Sequence, residues 1–202
     1  NNMDMEKCFT ESFVNAVTHV ATGMGLAQDD WSLTMLQFCL KLNKPMLIDA
    51  DALNLIAKYG LACSELMAGA SLVITPHPGE AARLLSADTP VGTADIQNNR
   101  FEAVKQLHAL FNRCDNCTVI LKGSGSLIFD GRTTKVCNLG NPAMAAPGMG
   151  DVLSGIIIAL MAQNIPPAAA AELGVCLHAS AADLVCEHKT RGLLASDVVN
   201  AL

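Results

Sequence analysis

Apolar positions along this chain follow two regimes. In some stretches they recur every three or four residues, the spacing of one helix face. Residues 31–42 place Leu33, Leu36 and Leu40 this way, behind Asp29 or Asp30 as a cap. Residues 94–112 place Ile96, Val104, Leu107 and Phe111 on or near one face, predicting one long helix. Shorter helices are predicted over 11–17, 52–58 and 80–85. Ala- and Leu-rich helices are predicted over 152–163 and 167–186, and a last short one starts in 191–197, capped by Ser196 or Asp197. Elsewhere apolar residues run on without alternation, in 46–51, 71–75 and 118–121. Such runs fit strands buried on both faces of a parallel sheet. Weaker strand patterns occupy 18–22, 127–129 and 133–137, the last two flanking Asp130-Gly131, a hairpin turn pair. Strands alternating with helices predict an α/β layered fold with a mainly parallel sheet.

The polar residues with chemical potential sit just after these strands, where open α/β sheets bind ligands. Gly23-Met-Gly25 follows the first strand, and Asp49 and Asp51 end the second. Pro76-His77-Pro78-Gly79 follows the third, and two prolines fix the turn around His77. That favours ligand contact for His77 over a purely structural role. Lys122 ends the 118–121 strand and leads into Gly123, Ser124, Gly125 and Ser126, a small-residue loop with backbone donors, hydroxyls and one cation. It suits a phosphate or nucleotide, and also a tight turn between strands.

The richest loop runs from Gly140 to Gly155 and feeds an apolar helix. Gly148, Met149 and Gly150 lead into Asp151. Free amides at a helix start, with the positive end of its dipole, attract anions. A carboxylate there repels a bound phosphate, but it suits a base that takes a proton from a hydroxyl about to be phosphorylated. The plainer reading makes Asp151 a helix cap. His178 lies inside the 167–186 helix and reads as a core or surface residue rather than a ligand.

Bulk properties narrow the classes. The chain has 202 residues, 51% of them hydrophobic, and a net charge of −6. That length suits one domain with a sizeable core. The acidic balance argues against a nucleic-acid partner, and no charge run suggests a membrane surface. No unbroken apolar run reaches the length of a membrane span. Eight cysteines are scattered, mostly within apolar segments, as expected for reduced thiols in a cytoplasmic protein. Cys114 and Cys117 have CxxC spacing without a second pair, so no metal site is predicted.

Four segments together resemble a known family. Leu47-Ile-Asp-Ala-Asp-Ala-Leu-Asn54, Ile74-Thr-Pro-His-Pro-Gly-Glu80, Leu121-Lys-Gly-Ser-Gly-Ser126 and the Gly140–Gly155 loop follow in the order and spacing of the NAD(P)H-hydrate dehydratases, carbohydrate-kinase-like enzymes of the ribokinase-like fold. The resemblance implies repair of the hydrated cofactors (S)-NADHX and NADPHX to NADH and NADPH. ADP, or ATP, is the expected co-substrate, with Mg2+ accompanying it. It implies Asp151 as base and substrate contact, and Gly25 and His77 as further substrate contacts. Lys122 to Ser126 and Gly150 would bind the nucleotide, and Gly148 to Gly150 would form an anion hole. A homotetramer of single domains spanning 1–202 is expected by the same resemblance. The N-terminal glycine- and alanine-rich segment of the family is expected to be missing from this domain.

The chain departs from the family at named places. Relatives usually have Gly-Pro-Gly-Leu-Gly where this chain has Gly23-Met-Gly-Leu-Ala27, and Ala143 and Pro147 stand where glycine is common. Ser126 stands where Thr is common and keeps the hydroxyl. Two other readings accompany the dehydratase: an ATP-dependent vitamin or sugar kinase of the same fold, such as a hydroxyethylthiazole kinase, and a nucleotide-binding protein without activity.

Overall fold

A computed structural model of the chain describes residues 9–61, 69–86, 89–111, 116–187 and 192–202. Cys114 of the CxxC pair and Arg191 at the start of the last expected helix lie outside the described residues.

The elements are, in order, α1 (Glu11–Ala16), β1 (Val20–Thr22), α2 (Asp30–Lys41), β2 (Met46–Ile48), α3 (Ala50–Tyr59), β3 (Ser71–Ile74), α4 (Pro78–Leu85), α5 (Thr93–Asn98) and α6 (Arg100–Leu110). Then come β4 (Asn116–Leu121), β5 (Ser126–Phe129), β6 (Thr134–Cys137), α7 (Met149–Ala162), α8 (Pro167–Cys186) and α9 (Ala195–Asn200). The six strands form one sheet in sequence order, β1 to β6. β1 to β4 pair in parallel, with Val20 opposite Met46 and Met46 opposite Leu72, and β5 and β6 complete the sheet antiparallel.

Strand residues alternate between two cores. Met46, Ile48, Leu72, Ile74, Val119 and Leu121 face the layer holding α2 to α6. Leu47, Val73, Ile120 and Ile128 face α7 and α8. Burial on both faces is why these strands read as continuous apolar runs. The expected layered fold with a mainly parallel sheet is the fold of this structure.

Element boundaries differ from the sequence expectation where a cap decides them. α3 begins at Ala50, because Asp49 leaves the strand and its carboxylate accepts the Ala50 amide at 2.8 Å. The expected helix over 94–112 is two helices, α5 and α6, broken at Asn99, which adopts φ −131° and ψ 42°. α5 starts one residue early because Asp95 caps the Gly92 amide at 2.9 Å. α7 begins at Met149, three residues before the expected start, after Gly148 turns through φ 83°. α9 is capped not by Ser196 or by Asp197 as the cap residue itself, but by Asp197 reaching back to the Leu194 amide at 2.9 Å.

α8 has 20 residues and a mean hydropathy of 1.3 over its most apolar window, which by length and composition could cross a membrane. Here Ala170, Ala171, Val175 and Ala179 pack against the sheet, so the apolar composition serves a core helix.

Candidate active site

The loops after the four parallel strands meet at one edge of the sheet. Backbone bonds lace them together: the Asp49 amide donates to Thr22, the Asp51 amide to Gly23, the Thr75 amide to Ile48 and the Lys122 amide to Pro76. Gly23 is needed for this approach. A Cβ built there would stand 1.8 Å from the Asp49 carbonyl oxygen, and the backbone turns through φ 115°.

Asp49 is the buried centre of the edge, at 1% exposure. The ammonium of Lys122 donates to its Oδ1 at 2.6 Å, and the hydroxyl of Ser154 on α7 donates to Oδ2 at 2.9 Å. The same ammonium lies 4.0 Å from Glu80 Oε2. A charge buried this deeply needs a partner and hydrogen bonds, and Asp49 has both. The network ties β2, β4, α4 and α7 into one unit.

Glu80 and His77 form the start of α4. His77 Nδ1 accepts the Gly79 amide at 3.0 Å, while Glu80 Oε2 accepts the His77 amide at 2.8 Å. His77 Nε2 stands 3.2 Å from Glu80 Oε1. Burial works against ionisation of Glu80, but the hydrogen bonds from His77 and the charge of Lys122 outweigh it and hold its pKa below the ordinary glutamate value.

A cavity of about 940 Å³ opens beside this network. Its walls include His77, Lys122, the whole Gly123–Ser126 loop, Asn141, Met149, Gly150 and His178. Lys122, Gly123, Ser124, Gly125 and Ser126, expected at the nucleotide, therefore share one cavity with Gly150 and Met149. Gly150 leaves a side-chain space open between α7 and the network. A Cβ there would meet Lys122 Nζ at 3.5 Å and Asp49 Oδ2 at 3.6 Å. The first turn of a 14-residue helix thus faces a cation across a space without side chain, an arrangement suited to a phosphate. The Ser126 hydroxyl donates within the loop, to the Gly123 carbonyl at 3.3 Å.

Three expected residues, Asp151, Gly25 and Gly148, are not among the cavity walls. Asp151 is exposed in the first turn of α7, one residue beyond Gly150; it is not the cap, a position held by Gly148. Gly25 is exposed at φ 64° in the β1–α2 loop. That loop is tied down by Asp51, which accepts the Ala27 amide and the Gln28 side-chain amide, each at 2.9 Å. Gly148 turns at φ 83° beside Ala195, where a Cβ would stand 3.2 Å from the Ala195 methyl.

Several functional candidates escaped the sequence reading. Arg100 donates to the Ser124 and Leu121 carbonyls and supports the small-residue loop from α6. Asp183 on α8 accepts the Gly140 amide and the Asn141 side chain, each at 2.8 Å, and holds the opposite wall. His178, expected to avoid ligands, is 6% exposed in the cavity wall with an unpartnered Nε2. Burial pushes its pKa below the ordinary histidine value. A polar residue on the buried face of an Ala-rich helix was the available clue for His178. For Ser154 it was a hydroxyl inside an apolar helix.

Among the described residues no three His, Cys, Asp or Glu side chains cluster as a metal site. Asp49 faces Lys122, and Glu80 lies between Lys122 and His77.

Comparison with known proteins gives the family. Residues 2–202 match the family model described as NAD(P)H-hydrate dehydratase. The chain is 46% identical over 181 residues, 89% of its length, to the bifunctional NAD(P)H-hydrate repair enzyme Nnr of Vibrio cholerae, covering 34% of that protein. It is 39% identical over 162 residues to the ADP-dependent (S)-NAD(P)H-hydrate dehydratase of Neisseria meningitidis, covering 79% of this chain and 52% of that one. The chain thus spans about a third of the first relative and about half of the second. A solved structure of the ADP/ATP-dependent NAD(P)H-hydrate dehydratase from Bacillus subtilis, co-crystallized with ATP/Mg2+ and soaked with CoA, aligns with a TM-score of 0.74 at 25% identity, over 92% of this chain and 65% of that chain. With the family model spanning almost the whole sequence, and with the four motifs gathered at one edge of the sheet, the chain belongs to the NAD(P)H-hydrate dehydratase family.

Proposed function

We propose that this chain dehydrates (S)-NADHX and NADPHX to NADH and NADPH, coupled to conversion of ADP to AMP and phosphate. The observation that carries the reading is the shared cavity of the Lys122–Ser126 loop, Gly150 and His77, with the Asp49–Lys122–Ser154 network at its base. One wall suits a nucleotide, and the start of α7 suits its transferring phosphate.

The proposed chemistry adds to this cavity Asp151 and Gly25, which stand outside its walls. Asp151 takes the proton of the substrate hydroxyl as its oxygen attacks the β-phosphorus of ADP, and AMP departs with the electrons of the broken P–O bond. The amides of Gly148 to Gly150 and the Lys122 ammonium stabilise the negative charge on the transferring group. The phosphate ester then breaks at its C–O bond. Inorganic phosphate leaves with that electron pair, the adjacent ring carbon gives its proton to water, and the C–H electron pair forms the double bond that restores the dihydropyridine. His77 and Gly25 hold the hydrated ring. Mg2+ bound with ADP would supply charge neutralisation at the phosphates; Asp49 and Glu80 face Lys122, so phosphate oxygens and not these carboxylates would hold it.

Incubation with NADHX and ADP should regenerate the ultraviolet absorbance of NADH together with AMP and phosphate. Asp151→Asn should lower the rate by about 10²–10⁴ while nucleotide binding is kept. No turnover with either ADP or ATP would overturn the reading, as would a stable phosphorylated product, which is the kinase outcome.

A further inference from the structure

A second concavity, about 790 Å³, lies on the other side of the α4 start. Gln28, Asn54, Lys58, Gly79, Arg83 and Thr93 are among its walls. The chain carries 19 acidic residues against 13 Lys and Arg, yet no carboxylate lines this groove among the described residues. Two acids bond to its walls from behind: Asp51 accepts the Ala27 amide and the Gln28 side-chain amide, and Asp95 accepts the Gly92 amide. Both cations are exposed and lack a carboxylate partner among the described residues. Lys58 sits over the Tyr59 ring, and Arg83 donates to Asn54 Oδ1 at 2.7 Å, which orients its guanidinium. Two cations with amide and hydroxyl groups and no acid suit a polar dianion.

The groove and the cavity are joined through α4. His77 and Pro78 line the cavity, and Gly79 lines the groove. Gly79 leaves open the space between the two: a Cβ there would stand 2.9 Å from His77 Cε1 and 3.8 Å from Arg83 Nη1. On the dehydratase reading the substrate is a dinucleotide whose ring lies at His77 and whose cavity side is taken by ADP. Its remaining half carries a pyrophosphate with two negative charges.

Resting on that reading, we propose that the groove is the subsite for the ADP-ribose half of the hydrated dinucleotide, with the pyrophosphate held between Lys58 and Arg83. It assigns these residues to substrate and not to the nucleotide co-substrate. Lys58→Gln and Arg83→Gln should each raise KM for NADHX about tenfold, with KM for ADP little changed. A double variant whose KM for NADHX matches the wild type would overturn the subsite, as would an equal rise in KM for ADP. Calorimetric titration with ADP-ribose, in the presence of saturating ADP, separates this idea from the dehydratase reading. If the wild type shows no turnover, that reading fails. The subsite still stands if the wild type binds ADP-ribose and the double variant does not. It falls if the two bind alike or neither binds.

Discussion

Gly150 shows how one missing side chain shapes the site. Its neighbours, Lys122 Nζ and Asp49 Oδ2, would stand in ordinary contact with an added methyl. Alanine is also the better helix former, by about 1 kcal/mol. Gly150→Ala should therefore leave thermal stability equal or higher while lowering turnover about 10²-fold, through displacement of the phosphate. Loss of both stability and activity would refute this account. His178 gives a pH prediction. Its folded-state pKa lies below the unfolded value near 6.5 because burial disfavours the cation. The unfolded chain then takes up a proton that the native state refuses. The stability contribution is full above that unfolded value and is lost as pH falls through the lowered one. Urea unfolding of wild type and His178→Gln should show the wild type losing stability faster between pH 7 and pH 5, values chosen to bracket an ordinary histidine. Ala27 fits the same scale. It adopts φ 67°, a left-handed backbone that glycine takes at less cost than a residue with a methyl group.

The elements were legible where their apolar period was undisturbed. β2, β3 and β4 were readable because both faces are buried, and α2 because Asp29 caps it, accepting the Ser32 amide at 2.9 Å. The break between α5 and α6 was not readable, since Ile96, Val104 and Leu107 keep helical spacing across it. Only the backbone at Asn99 and the Asp95 cap reveal it. The role of Asp49 was hidden for another reason: its partners Lys122 and Ser154 lie 73 and 105 residues away in sequence. The motif residues in the cavity were legible because they cluster directly after strands. Its far wall on α8 was not, because His178 and Asp183 sit in a helix that reads as packing. The network carries its own prediction. Lys122→Met leaves a carboxylate at 1% exposure without its cation, costing about 3 kcal/mol. Adding Asp49→Asn to that variant should restore part of the loss, measured by urea midpoints. No recovery would mean the pair is not coupled.

At the scale of the whole molecule, one sheet separates two cores of different sequence range. The first core, with α2 to α6, uses segments that precede or adjoin their strands. The second core covers Leu47, Val73, Ile120 and Ile128 with α7 and α8, the last long helices of the chain. Those same two helices supply Gly150, Ser154, His178 and Asp183 to the site. Closing that face and completing the site are therefore one structural event.

This has a consequence during synthesis. A nascent chain that has emerged only as far as β6 holds four paired parallel strands with a bare apolar row on one side. Such a surface attracts chaperones and promotes self-association. A fragment ending before Gly140 should bind a hydrophobic dye strongly and aggregate, while the full chain should do neither. Translation of residues 140–202, in effect, covers that adhesive face, and a stalled ribosome would leave it exposed.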